Sequence, residues 1–312
     1  MSADASLAAV SALETREGRI AALGWTPDPT RQEEVRRCNL CDGTRLVAVS
    51  QVDRYGFDQP AVVCAGCGLG FLSPRLTASA YADFYRTTYR PLVSAYHGRT
   101  IDAVTVQDDQ REYATELVAF LRAALPASPA IILDVGGSTG VVAGAVRDAL
   151  GGIPTVLDPA PEELAVAAEG GAETIEGFAE DLDTSGRTWD LVLLCQTVDH
   201  LLDVRGTLEA LRAATVPDGH AFIDILDLDY ALEAQGTVEG VVKVDHPYYL
   251  TRTTAEAFFS TTGFRVVAER LSHDGHWGFL LAPGTPAAPD PVALRAHADR
   301  LLRDIWRRRA AS

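Results

Sequence analysis

Apolar residues recur at helical spacing over residues 76–96, where Tyr81, Phe84, Tyr85 and Tyr89 fall on neighbouring turns. They do so again over 108–125, with Tyr113, Leu117, Phe120 and Leu121 on one face, and Pro126 and Pro129 end that stretch. From residue 130 onward, apolar runs of strand length alternate with amphipathic segments: a strand over 131–135, a helix over 141–150, a strand over 154–157, a helix near 162–168, then 191–194, 207–214 and 221–225 in the same rhythm. Strands that are apolar on both faces need cover on both sides. The pattern therefore predicts an α/β fold, a mostly parallel sheet with helices on its two faces. A helix over 254–261 and an antiparallel pair, 264–269 with 276–281, should complete the sheet.

The ends of the chain read differently. Residues 1–30 mix Ala, Ser and charge and stop at Pro27 and Pro29, which suggests an arm. Residues 31–75 hold short β-like runs (46–49, 61–63) bracketed by cysteines, a separate small module. Residues 76–129 form a helical connector or lid, 130–283 the sheet domain, and 284–312 a linker and terminal helix. In that helix Leu294, Leu301, Leu302 and Ile305 should face inward, while Arg307, Arg308 and Arg309 form a solvated end that complements the helix dipole.

Composition narrows the function. Of 312 residues, 47% are hydrophobic and 22% charged, the balance of a water-soluble globular chain. No apolar run approaches the ~18 to 20 residues of a membrane span. The opening MSADASLAAV lacks the basic stretch and apolar core of a secretory leader, so a cytoplasmic location is expected. A net charge of −16 opposes binding to phosphate backbones or anionic membranes, and the expected partner is a small molecule, not a nucleic acid or a membrane. The sequence leaves the oligomeric state open.

Cys38-x-x-Cys41 and Cys64-x-x-Cys67 lie twenty-two residues apart. Each pair can present two thiolates from a tight turn, and four sulfurs close a tetrahedron around Zn²⁺ with no position left for water or substrate. Cys38, Cys41, Cys64 and Cys67 are thus expected to hold a structural zinc, in preference to two disulfides or free thiols. Residues 31–75 carry six Arg against five acidic side chains, too even a balance for a nucleic-acid patch.

The run Ile131-Ile132-Leu133-Asp134-Val135-Gly136-Gly137-Ser138-Thr139-Gly140 is a buried strand ending in an acid, a turn of small residues, then a helix start. Such a turn lets the backbone approach a ligand closely and offers N–H donors. The next strand ends at Asp158, about twenty residues on, where a carboxylate can accept hydrogen bonds from both hydroxyls of a ribose or can cap the succeeding helix.

Residues 133–140 resemble the first motif of class I S-adenosylmethionine-dependent methyltransferases. Glu176-Gly177-Phe178-Ala179-Glu180-Asp181-Leu182 resembles that family's adenine-side loop, Trp189-Asp190-Leu191-Val192-Leu193-Leu194 its fourth strand, and Pro217-Asp218-Gly219-His220 the turn before its fifth. The segment Cys64-Ala65-Gly66-Cys67-Gly68-Leu69-Gly70-Phe71, with Pro74-Arg75 and Tyr81-Ala82-Asp83-Phe84-Tyr85, is similar to the members that carry an amino-terminal zinc ribbon, among them sugar C-methyltransferases and other natural-product enzymes. The resemblance implies a Rossmann-like sheet and S-adenosylmethionine as cofactor. It places Asp134, Gly136, Gly137, Ser138, Gly140, Asp158, Phe178 and Ala179 at the cofactor, and Gln196, just beyond the fourth strand, is expected to orient the methionine portion of the cofactor or the acceptor. Two departures stand out: Ser138 replaces the usual middle glycine, and Phe178 the acid that commonly meets the adenine amino group.

Ligands of open α/β sheets sit beyond the carboxyl ends of the strands, which directs attention to Cys195-Gln196-Thr197, His200 and residues 227–230. His200, in Asp199-His200, resembles the family's Glu-His, with a structural or a catalytic role. His246, in Lys243-Val244-Asp245-His246-Pro247-Tyr248-Tyr249, resembles the proposed base of the sugar C-methyltransferases. A histidine titrates near neutrality and can take an acceptor proton, with Asp245 or Tyr248 to orient it. Tyr96, His97, His273 and His276 are further candidates for the acceptor pocket, and Cys195 reads as a small buried hydrophobe. The expected activity is methylation of a small acceptor; the alternatives are a non-catalytic zinc and cofactor-binding module and an RNA methyltransferase.

Overall fold

The computed structural model describes residues 14–182 and 186–311. The first half of the expected arm lies outside them. Its second half is not loose: α1 (Arg16–Ala21), capped by the Thr15 hydroxyl, buries Ile20, and Trp25 packs on Phe57 and Phe84 with ring centroids 5.2 and 5.1 Å away.

The cysteine segment folds as strands β1 (Gln32–Glu33), β2 (Leu46–Val52), β3 (Asp58–Cys64), β4 (Gly70–Leu72) and β5 (Arg75–Leu76). Helices α2 (Ala78–Thr87) and α3 (Tyr89–His97) bury Tyr81, Phe84 and Leu92 against it, and α4 (Ala103–Ala124) leads to the main sheet. There β6 (Ile131–Val135), α5 (Val141–Leu150), β7 (Ile153–Asp158), α6 (Pro161–Glu169), β8 (Glu173–Glu176), β9 (Trp189–Leu194), α7 (Val204–Ala214) and β10 (Thr215–Leu226) alternate as the hydrophobic pattern requires. Strand β8 is the one the pattern hides. Its four residues carry a single apolar side chain, and it exists as an edge strand paired to β7.

After β10 come α8 (Leu228–Gln235), α9 (Val238–Val241), β11 (Tyr248–Tyr249), α10 (Arg252–Thr261), β12 (Phe264–Leu271), β13 (His276–Pro283) and α11 (Pro291–Ala311). The seven-stranded sheet runs β12-β13-β10-β9-β6-β7-β8; β6 to β10 are parallel, and β13 and β12 close one side antiparallel. The order reverses between β6 and β9. That reversal opens a crevice at the carboxyl ends of those strands.

The cysteine segment shares its core with the sheet domain. Cys38, Leu40, Cys64, Cys67 and Phe71 belong to the same apolar cluster as Leu208, Leu211 and Phe258. Tyr248 and Tyr249 pair with Phe71 and Gly70, so β11, from beyond the fifth parallel strand, becomes the outer strand of the β4-β3-β2 sheet. Asn39 adds polar contacts, accepting from the Arg205 amide at 2.9 Å and donating to Asp203 at 2.8 Å. Helix α11 buries Leu294, Leu301 and Ile305 as expected, with Leu302 half-buried. Its end is not simply solvated, because Arg308 donates to the Leu232 carbonyl at 2.8 Å and Arg309 to that of Val49 at 3.3 Å. No helix among the described residues is long and apolar enough to cross a membrane.

Candidate active site and zinc centre

A cavity of about 560 Å³ opens at the reversal of strand order. Gly136 and Ser138 line it from the turn after β6, Asp158 from the tip of β7, Phe178 and Ala179 from the segment after β8, and Gln196 from the turn after β9. Six of the nine residues expected at the cofactor therefore meet at one void. Asp134, Gly137 and Gly140 stand behind the turn and shape it.

The reason for small residues is steric. Gly136 has φ +71°, and a β-carbon there would lie 2.7 Å from the Thr197 side chain; one on Gly137 would lie 2.7 Å from the Asp134 carboxylate. Ser138 also takes a left-handed φ of 51°, which costs roughly 1–2 kcal/mol for a residue with a β-carbon. Two contacts offset that cost: its N–H donates to Asp158 Oδ2 at 2.9 Å, and its hydroxyl meets Glu163. The serine thus holds a glycine-like backbone in the place of the usual middle glycine.

Asp158 is not the cap of the next helix, since α6 begins at Pro161 with Ala160 at its cap. Its Oδ1 accepts the Ala160 N–H at 2.9 Å, and the carboxylate remains on the cavity wall. Burial raises it to about 6. Asp134 is fully enclosed, neither of its oxygens makes a well-formed hydrogen bond among the described residues, and burial raises it to about 7. A carboxylate starved of donors beneath a glycine turn suits a ligand that brings donors or positive charge.

The buried Asp158 makes cofactor binding sensitive to pH. Hydroxyls donating into it favour its ionised form, so a bound ribose should lower its pKa from about 6. Below about pH 6 the binding of S-adenosylhomocysteine is expected to release a proton, and affinity should rise as pH climbs through that value. Calorimetry at pH 5.5 in buffers of different ionisation enthalpy checks this; proton uptake, or no exchange, contradicts it.

One histidine stands on the cavity wall and a second packs behind it. His200 lines the wall, and its Nδ1 lies 2.9 Å from the Asp245 carbonyl oxygen and 2.8 Å from the Tyr85 hydroxyl. A carbonyl only accepts, so we assign the proton to Nδ1, which leaves Nε2 a bare lone pair with no partner among the described residues. Burial, then the charge of His246, pushes His200 down to about 4 and keeps it neutral at physiological pH.

His246 packs behind it, ring centroids 4.5 Å apart, and does not itself line the cavity. Its Nδ1 is 2.6 Å from Asp199 Oδ2, and its Nε2 is 3.1 Å from Lys243 Nζ and 3.4 Å from Asp245. Burial alone would raise Asp199 and Asp245, but His246 and its basic neighbours outweigh it and hold both below the ordinary carboxylate range.

The orienting group of His246 is thus Asp199, not Tyr248. Tyr248 is buried in β11 against Phe71 and donates to the Leu202 carbonyl at 3.2 Å, away from the void. Tyr96, His97, His273 and His276 do not line the cavity. Asp227 accepts the Tyr230 and Arg252 amides at 3.1 and 2.9 Å, a structural cap. Cys195 lies on the wall, and burial pushes its thiol well above the usual range, as an inert hydrophobe requires.

Arg90 and Glu163 on the wall had no local signal in the sequence. Arg90 on α3 and Glu163 on α6 form a 2.9 Å ion pair beside the void, and Tyr81, Tyr85 and Tyr89 cover it from the connector helices. Gln196, at φ 51°, is pinned by its N–H to Asp224 at 2.6 Å, and the Tyr113 hydroxyl holds the other Asp224 oxygen at 2.7 Å. Glu180 and Asp181 line the cavity two and three residues beyond Phe178, so acidic groups stand near the place the family's acid would take.

The four paired cysteines also converge. Cys38 and Cys67 Sγ are 3.4 Å apart, Cys41 and Cys64 Sγ 3.5 Å, and all four lie within 4.8 Å of one another as free thiols. Tetrahedral Zn–S bonds of ~2.3 Å require S···S near 3.8 Å, so the cluster fits one metal ion and no disulfide.

A model of the methyltransferase domain matches residues 106–269, just over half of the chain and the part that carries the five parallel strands of the sheet together with Asp158 and His200. The chain belongs to this methyltransferase family. Among solved structures, the methyltransferase core is similar to the magnesium protoporphyrin IX methyltransferase of Synechocystis PCC 6803 with bound SAH: 12% identity, TM-score 0.50, 66% of this chain and 98% of that one. A protein from Pyrococcus horikoshii OT3 gives 18%, TM-score 0.49, 56% and 91%, and the CcbJ methyltransferase of Streptomyces caelestis 17%, 0.46, 57% and 90%. No curated protein matches the sequence. The methyltransferase is S-adenosylmethionine-dependent, as its family is, and the donor-starved Asp134 and the cradle at Gly136 and Gly137 fit that cofactor.

Proposed function

We propose that this enzyme methylates a small acceptor seated between the glycine turn and the histidine pair, with a structural zinc in the Cys38, Cys41, Cys64 and Cys67 cluster. The observation that supports the reading most is that one cavity is lined both by Asp158 and by His200, whose Nε2 has no partner among the described residues. S-adenosylmethionine, when bound, supplies a sulfonium methyl to an acceptor nucleophile. Asp158 would accept from the ribose hydroxyls, Phe178 and Ala179 would contact the adenine, and Gly136, Ser138 and Gln196 would face the amino-acid end.

The protein's own contribution is twofold. Orienting two reactants in a closed space is worth roughly 7–11 kcal/mol, and a positioned base adds about 10²- to 10⁴-fold where the acceptor must lose a proton. His200 Nε2 is the proton acceptor in this reading. His246 positions it by packing, and the carboxylates of Asp199 and Asp245 balance the positive charge that develops on it.

Incubation of the full chain with methyl-labelled S-adenosylmethionine and a panel of sugars, amino acids and planar metabolites is the direct test. Label should pass to a small acceptor with one S-adenosylhomocysteine formed per methyl. Transfer to RNA alone, or cofactor binding without transfer, contradicts the reading.

A further inference from the structure

The turn between β2 and β3, residues 53–57, lies at the far end of those strands from Cys64 and reaches into the sheet domain. Three consecutive residues of it grip the segment that follows α9. The Arg54 N–H donates to the Val242 carbonyl at 2.8 Å, the Val244 N–H to Asp53 Oδ2 at 3.0 Å, and the Tyr55 hydroxyl to Asp245 Oδ1 at 3.2 Å. Asp53, Val244 and Asp245 are almost fully enclosed, at 3, 0 and 2% exposure.

A chain reversal needs none of this, since a two-residue loop of Asn and Gly turns a hairpin. Asp53 uses one oxygen for the turn itself, Oδ1 accepting the Tyr55 and Phe57 amides at 2.9 Å each, and sends the other out of the module to Val244. A buried carboxylate loses its hydration, and these backbone amides stand in for the water. Burial pushes the Tyr55 hydroxyl above its usual range, so it remains a donor. Burial alone would raise its partner Asp245 as well, but His246 and Lys243 keep that carboxylate ionised.

The gripped segment carries the hydrogen-bond partner of the base. The Asp245 carbonyl faces His200 Nδ1 at 2.9 Å, and the Asp245 carboxylate stands 3.4 Å from His246 Nε2. Tyr81 and Tyr85 complete the hold from α2, donating to the Val244 and Asp245 carbonyls at 2.8 and 3.1 Å. A neutral imidazole can carry its proton on either nitrogen, so the group fixed beside Nδ1 decides which nitrogen is left to act as base.

We infer that Asp53 and Tyr55 are positioning residues for methyl transfer: through Val244 and Asp245 they hold the carbonyl that keeps the His200 proton on Nδ1 and leaves Nε2 bare. The cysteine module then contributes to the catalytic apparatus as well as to the core. The inference rests on His200 as the base of the proposed reaction, but the tautomer is measurable without turnover.

The test is nuclear magnetic resonance of the histidine ring nitrogens in the zinc-loaded full chain, isotopically labelled at histidine, with the His200 signals identified by their loss in His200→Ala. At neutral pH the wild type should hold His200 in the Nδ1–H form. An amide at position 53 has a single oxygen and cannot serve both the turn and Val244. In Asp53→Asn/Tyr55→Phe the Nε2–H form should therefore grow by about fivefold or more, the order of one lost hydrogen bond, while zinc content and S-adenosylhomocysteine affinity stay within about twofold of wild type. Phe57→Leu loosens the same turn, where Phe57 packs on Trp25 with ring centroids 5.2 Å apart, but removes no hydrogen bond to residues 242–245, and should leave the tautomer unchanged. Should the double variant fold poorly, Tyr55→Phe alone carries the test, with about a threefold change expected. An unchanged tautomer in the variant that folds, an equal change in Phe57→Leu, or a wild-type His200 with its proton on Nε2 overturns the inference. Undiminished methyl transfer by His200→Ala would instead overturn the reading beneath it, in a different protein and a different assay.

Discussion

His200→Ala is expected to lower kcat by about 10²- to 10⁴-fold while S-adenosylhomocysteine binds within about twofold of wild type. The substitution removes the one imidazole on the cavity wall, and the glycine turn and Asp158, on other strands, keep their contacts. Because the base must be unprotonated, the wild-type kcat at saturating cofactor should hold as pH falls and drop only near His200's value of about 4. His246→Ala should also slow the reaction, by a different route. Its charge is the largest influence after burial that depresses His200, so its removal should move the acid limb upward. A purely structural role for His246 would leave that limb in place, and an unchanged rate in both variants would remove the pair from the mechanism.

Loss of the metal should be the most destructive change to the fold. Structural zinc contributes apparent free energies of about 10–16 kcal/mol in small modules, as large as the whole net stability of a domain. Here the cysteines are continuous with the main core, and β11 ties the 243–249 segment to the same sheet through Tyr248 and Tyr249. Cys64→Ser is therefore expected to lose its zinc, expose residues 31–75 to proteolysis and abolish turnover, with the cofactor turn less affected. One zinc per chain by elemental analysis is the companion result. A chelated protein with an unchanged melting temperature would contradict the assignment.

Much of this arrangement was legible in the sequence because it is periodic or locally spaced. The alternation after residue 130 marks buried strands and their helices, and Cys-x-x-Cys pairs or a glycine turn state their chemistry within a few residues. The parts that stayed hidden depend on contacts across the chain. Strand β8 has almost no apolar signature and is fixed by its neighbour. Arg90 and Glu163 meet from helices 73 residues apart, and Asp199 orients a histidine 47 positions on. Tyr248 looked catalytic because it lies two residues beyond His246. In a strand, alternate side chains share a face, but the chain turns at Pro247, and Tyr248 enters the β11–β4 pairing instead. The departure at Ser138 proved to be of sequence only, since its backbone holds the glycine conformation.

The central claim is that the β6 turn and the tip of β7 hold the amino-acid and ribose parts of the cofactor. Calorimetric titration of wild type and Asp158→Ala with S-adenosylhomocysteine tests it most directly. Wild type should bind one equivalent, and the variant, its melting temperature checked in parallel, should bind about 100-fold more weakly, since hydrogen bonds to a charged group are worth about 1.5–3 kcal/mol each. Equal affinity in the two proteins would contradict the account.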